Sequence, residues 1–155
     1  MNRGVLNQDS GDGPSASVAA LSDSALYDIL SKARTIAVLG LKLGPAEVSY
    51  RIADYLHRQG YRIVPVSPKL DAAFGVDAVA TLAAIDEPVD IIDVFRASAN
   101  VPQHAQEALA MRHPPGLFWM QSGVEHADAC RLLRAGGVAV VENRCLMVEH
   151  ARLFR

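Results

Sequence analysis

The chain has 155 residues, half of them hydrophobic and 21% charged, with a formal net charge of -2 at pH 7. That length suits a domain with one core, and the apolar share is enough to fill it. No clustered Lys and Arg mark a nucleic-acid scaffold, no apolar run reaches bilayer length, and Cys130 and Cys145 lack metal-ligand spacing.

Residues 1 to 20, rich in Gly, Ser and Asp, are expected to form a disordered tail, because they bury too little surface to offset their ordering entropy. No apolar signal-peptide core precedes the domain, so a cytoplasmic, reduced protein is expected. The domain itself is expected over 21 to 155. Ser22 and Asp23 are cap candidates for a helix carrying Leu26, Ile29 and Leu30, placed over one end of a sheet. "TIAVLG" (35–40) reads as a buried strand, and Val48, Ile52, Tyr55 and Leu56 give the next helix its apolar stripe. Gly60 ends that helix and "YRIVPVSP" (61–68) is the second strand. Residues 74–85 hold a short extended piece at Val76 to Ala80 and one helical turn. "VDIIDVF" (89–95) is a strand, followed by a helix over 101–112 with Ala105, Ala108 and Leu109 inward. "GLFWM" (116–120), a helix at 125–135, "GVAVVE" (137–142) and a short last helix complete the series. Short apolar strands alternating with helices define an α/β fold: a doubly wound, mostly parallel five-stranded sheet in three layers.

In such a fold ligands lie beyond the carboxyl ends of the strands, at the switch point of the strand order. The first strand runs into "GLKLGPAEVSYR". There Gly40 permits close backbone approach, a helix start offers free N–H groups, and Lys42, Ser49 and Arg51 add donors and charge. A tight turn alone accounts for Gly40 and Gly44 equally well. After the second strand stand Val66, Ser67, Pro68 and Lys69. A nicotinamide dinucleotide site usually has a carboxylate there for the ribose hydroxyls; a hydroxyl and an ammonium instead favour a phosphate on that ribose. A solvated turn is the plainer reading of Lys69. Phe95 would pack on a base or fill core, and Arg96 would meet phosphate or water. Gln121, Ser122 and Gly123 follow the next strand, and Asn143, Arg144 and Cys145 follow the last.

Five stretches, "TIAVLGLKLGPAEVSYRIADYL", "GYRIVPVSPK", "PVDIIDVFR", "LFWMQSGV" and "AVVENRCLMVEHARL", together resemble the small stand-alone CoA-binding proteins. That family is Rossmann-like and related to the CoA-binding domain of the succinyl-CoA synthetase α subunit. The resemblance spans about residues 33 to 154. It implies a site for coenzyme A or an acyl-CoA, with Gly40, Lys42, Ser49 and Arg51 along the phosphates. Val66, Ser67, Pro68 and Lys69 would border the 3′-phosphorylated adenosine, while Val94, Phe95, Arg96, Gln121, Ser122 and Gly123 edge the cleft. Asn143, Arg144 and Cys145 would close it. The chain departs from the family at Lys42, Glu47 and Ser122, where relatives often have a small hydroxyl residue, Arg and Leu. Nothing resembles the synthetase's phosphohistidine domain, so its activity is not implied.

No catalytic residue or metal is expected. The histidines, His57, His104, His113, His126 and His150, have no metal-ligand pairing; His57 and His104 read as helix-surface residues and most of the five as solvated. Cys145 is the one candidate thiol partner for the cofactor, although packing explains it as well, and Cys130 reads as core. The leading expectation is a non-catalytic CoA-binding module, with a protein partner or homo-oligomer left open. A nucleotide-dependent oxidoreductase or transferase using the same cleft is the alternative, and an interaction protein with a vestigial cleft is a third.

Overall fold

A computed structural model describes residues 20–155; the expected tail lies outside the described residues except for Ala20. In chain order the elements are α1 (Asp23–Lys32), β1 (Thr35–Leu39), α2 (Val48–Arg58), β2 (Arg62–Val66), β3 (Ala72–Ala73), β4 (Val76–Asp77), β5 (Ile91–Val94), α3 (Val101–Ala110), β6 (Leu117–Met120), α4 (Ala127–Ala135), β7 (Ala139–Val141) and α5 (Leu146–Leu153). Single 3-10 turns occupy Leu82–Ala84 and Ser98–Asn100.

The five long strands form one parallel sheet in the order β2-β1-β5-β6-β7. All five residues of β1 are buried, as a strand covered on both faces requires. Its alternate side chains feed two cores. Ile36 and Val38 meet Leu26 and Leu30 of α1, Ile52 and Leu56 of α2 and Leu146 of α5. Ala37 and Leu39 cluster with Leu82 of the 3-10 turn, with Ala105 and Ala108 of α3 and with Leu133 of α4. The result is three layers. Ile52 and Leu56, 2% and 0% exposed, each contribute about 1.5–3 kcal/mol by burial, so α2 is held chiefly by its apolar stripe.

One local finding differs from the sequence expectation. Leu26 and Leu30 place α1 in the core of one face rather than over an end of the sheet. Its start is as expected: Ser22 Oγ accepts from the Ala25 N–H at 3.1 Å. The short extended piece expected at Val76 to Ala80 is present: Val76 and Asp77 form β4, Val79 makes a single parallel bridge to Val66, and the expected helical turn follows at Leu82–Ala84; the hairpin partner β3 was not expected. The hairpin turns through Phe74 and Gly75, both at positive φ (55° and 77°), as its tight turn type demands. The Phe74 ring packs on Tyr50 at 5.5 Å and His57 at 5.3 Å.

From β1 the chain first builds outward to β2, then returns to the other side of β1 with β5. The strand order therefore reverses between β1 and β5. The geometry of that reversal locates the site.

Candidate functional site

Gly40 leaves β1 at the switch point with φ +87°, and its N–H donates to the Val66 carbonyl at 3.0 Å. A side chain there would collide with the Phe95 carbonyl oxygen and meet Arg96 Cδ at 3.0 Å. Glycine is thus required both by the left-handed backbone and by the approach of the β5 end. The chain then loops to α2. Ser49 Oγ accepts from the Lys42 N–H at 3.0 Å, and Arg51 Nη1 donates to the Pro45 carbonyl at 2.8 Å. Both side chains, expected to serve a ligand directly, brace the loop that carries Lys42. At the N-terminus of α2, Glu47 makes no capping bond and the first turn holds no acidic residue. The first-turn N–H groups and the positive end of the helix dipole thus lie uncapped beside the loop.

At the end of β2, Ser67 is buried and its Oγ accepts from the Lys69 N–H at 3.1 Å, shaping a turn that leaves Lys69 exposed. Two adjoining cavities result. One, of about 210 Å³, is lined by Gly40, Lys42, Ser67, Pro68, Lys69 and Arg96 among others. The second, of about 190 Å³, shares Gly40, Ser67, Pro68 and Arg96. It continues past Val66 to Thr81, Gln103, His104 and Glu107. Together they form a groove across the carboxyl ends of β1 and β2, with Arg96 at its middle and cations at one end.

The other residues singled out in the sequence stand apart from these two cavities. Phe95 is half-buried and packs into the core beneath. Gln121 is buried, its Oε1 accepting from the Leu146 N–H at 3.0 Å. Asn143, itself at φ 53°, accepts from the Gly123 N–H at 2.6 Å through Oδ1. These two amides tie the β6 and β7 ends together. Arg144 lines a separate cavity of about 140 Å³ with Arg134 and Glu142, and its Nη1 lies 3.7 Å from Glu149. Cys145 is a half-buried N-cap of α5 with no capping bond. Cys130 is buried, as expected, and burial, followed by Glu142, pushes its thiol up to about 12.

The expectation that most histidines are solvated fails at two positions. His104 is 9% exposed and its Nδ1 lies 2.9 Å from Glu107 Oε1, while Nε2 is buried without a partner. It is buried because α3 packs between α4 and the Leu82–Ala84 turn, which widens its covered face beyond the alanine stripe. His150 is 4% exposed, with Nδ1 2.9 Å from the Tyr55 hydroxyl and its ring stacked on Phe154 at 4.3 Å. Burial holds its pKa below the ordinary value. His126 caps α4, its Nδ1 accepting from the Ala129 N–H at 3.3 Å.

Sequence reasoning passed over Asp93. In β5, between Val38 and Trp119, it is fully buried with neither carboxylate oxygen hydrogen-bonded. Burial raises its pKa well above the usual carboxylate range. The signal was present: an Asp inside the apolar run "VDIIDVF" has to be buried once that run is a central strand.

Larger cavities, of about 390 and 420 Å³, lie at the opposite end of the sheet around Ser31, Ala33 and Gly60. Both receive the carbonyl end of α1, and the larger is also lined by Lys32 and Arg34. Among the described residues no helix is long and apolar enough to cross a membrane.

The chain belongs to the CoA binding domain family, whose model matches residues 34–151. It is 38% identical over 130 residues to YneT of Bacillus subtilis (strain 168), described as uncharacterized, covering 84% of this chain and 95% of that protein. A Thermus thermophilus structure, cell-free ID.343, is 46% identical and superposes with a TM-score of 0.82, covering 86% of this chain and all 100% of that one. The dinucleotide-forming acetyl-coenzyme A synthetase 1 of Ca. Korarchaeum cryptofilum shares the fold, with a TM-score of 0.62 at 16% identity. That match covers 70% of this chain and 25% of the synthetase. The five-stranded parallel sheet with helices on both faces is Rossmann-like, as the sequence indicated.

Proposed function

We propose that the domain binds coenzyme A or an acyl-CoA in the groove across the ends of β1 and β2, as a carrier or sensor rather than a catalyst. The observation that carries this reading is the meeting of Lys42, Lys69 and Arg96 around Gly40 at the switch point. Three cations beside an uncapped helix start suit a ligand with several phosphates. Lys69, standing where a dinucleotide site would have a carboxylate, suits the 3′-phosphate that coenzyme A carries on its adenosine ribose. Free thiols at Cys130 and Cys145 accord with a reduced, cytoplasmic setting.

Ligand that binds only the folded state raises the melting temperature, by about 2.7 kcal/mol of stability at a hundredfold excess over Kd. Coenzyme A is expected to raise it more than dephospho-CoA, and NAD least. Lys69→Ala is expected to reduce the coenzyme A shift to that of dephospho-CoA. Equal shifts for both forms in the wild type would remove Lys69 from the account, and no shift with any CoA species at millimolar concentration would remove the function.

A further inference from the structure

The groove is electrically uneven. Lys42 and Lys69 stand at one end, and Glu107 and His104 line the other. A carboxylate only accepts hydrogen bonds and repels phosphate. The Glu107 end is therefore a place for a neutral group that donates. Its apolar walls, Leu39, Val66 and Leu82, suit a flat heterocycle.

Glu107 is held for that task. His104 Nδ1 lies 2.9 Å from Glu107 Oε1, so the proton sits on Nδ1 and the carboxylate accepts it. With Nε2 buried and unpartnered, the Glu107 contact is the ring's sole hydrogen bond among the described residues. The Glu107 side chain is 26% exposed against 11% for His104. Its second oxygen, Oε2, makes no hydrogen bond among the described residues.

We propose that Glu107, oriented by His104, reads the base of the bound nucleotide by accepting a hydrogen bond from its exocyclic amino group, so that the groove selects a 6-aminopurine over a 6-oxopurine. Glu107 touches the ligand; His104 is a positioning residue. This inference rests on the coenzyme A reading.

The test is calorimetric titration of the full chain with coenzyme A and with its analogue carrying hypoxanthine in place of adenine. The wild type is expected to prefer coenzyme A by about tenfold or more, the worth of one hydrogen bond to a charged acceptor. Glu107→Gln, which can donate to a 6-oxo group, is expected to bring the two within about twofold. His104→Asn keeps a donor near the position of Nδ1 and is expected to retain the preference, while His104→Phe is expected to lose it. Equal affinities in the wild type, as would follow if Glu107 accepted from a ribose hydroxyl instead, overturn the inference and leave coenzyme A binding standing. So does an unchanged preference in Glu107→Gln. A wild type that binds neither compound overturns the coenzyme A reading along with it.

Discussion

Replacing Gly40 by alanine adds one methyl group where β1 and β5 diverge, and two costs follow. At φ +87° a side chain is strained against the backbone, by about 1–2 kcal/mol. The new Cβ also overlaps the Phe95 carbonyl oxygen, which is backbone and cannot rotate aside. Relief requires moving the strand ends, at about 1–3 kcal/mol. Gly40→Ala is therefore expected to lower unfolding free energy by about 2–5 kcal/mol, a large share of the roughly 5–15 kcal/mol a domain has. Gly44 serves as the control, since it has φ +117° but no atom within 4 Å of an added Cβ. Gly44→Ala carries only the backbone strain. Urea unfolding followed by fluorescence of Trp119, the chain's one tryptophan and fully buried, measures both variants. The gap between them should be about 1–3 kcal/mol. Equal losses would refute the argument that the approach of the β5 end, rather than the turn alone, demands glycine at position 40.

Two pH effects oppose each other and separate by mutation. Asp93, whose pKa burial raises above its ordinary 3.8, contributes stability that is complete below that value and declines as pH climbs toward the raised one. Asp93→Asn removes this titration, so its stability relative to wild type should grow by about 1.4 kcal/mol per pH unit above roughly pH 4 in urea melts; a constant difference between about pH 4 and 6 would contradict an uncharged Asp93. His150, lowered by burial from 6.5, contributes stability that is present above that pH and lost as pH falls through its depressed value. The melting temperature of His150→Phe relative to wild type should accordingly rise on acidification below about pH 6.5, and a flat difference would show that the ring is accessible to protons in the fold.

The sheet was legible because each main strand is buried on both faces and so reads as a short, nearly unbroken apolar run. The strand ends were legible too, since glycine and polar residues crowd them, but the reversal of strand order between β1 and β5 carries no local signal. Gly40 was found for a partial reason: what fixes it is the Phe95 carbonyl, 55 residues away in sequence and unseen by any local pattern. The same limit applies to Phe74, whose ring packs on Tyr50 and His57 from another part of the chain. His104 was misplaced because Ala105 and Ala108 mark only the centre of the buried face of α3, and the neighbours that widen it come from two separate segments. Its pairing with Glu107, three residues on, follows from helix spacing and could have been noticed. Ser49, Arg51, Gln121 and Asn143 were recognised as polar rim residues, yet no sequence signal separates a side chain that meets a ligand from one that braces the loop beside it.

Backbone amide NMR of the full chain during titration with coenzyme A tests the account most directly, because it reports where the ligand lies. The expected result is a set of shifted amides concentrated at Gly40, Lys42, Ser67, Lys69 and Arg96. Shifts gathered instead around Ser31, Ala33 and Gly60, at the far end of the sheet, would contradict it.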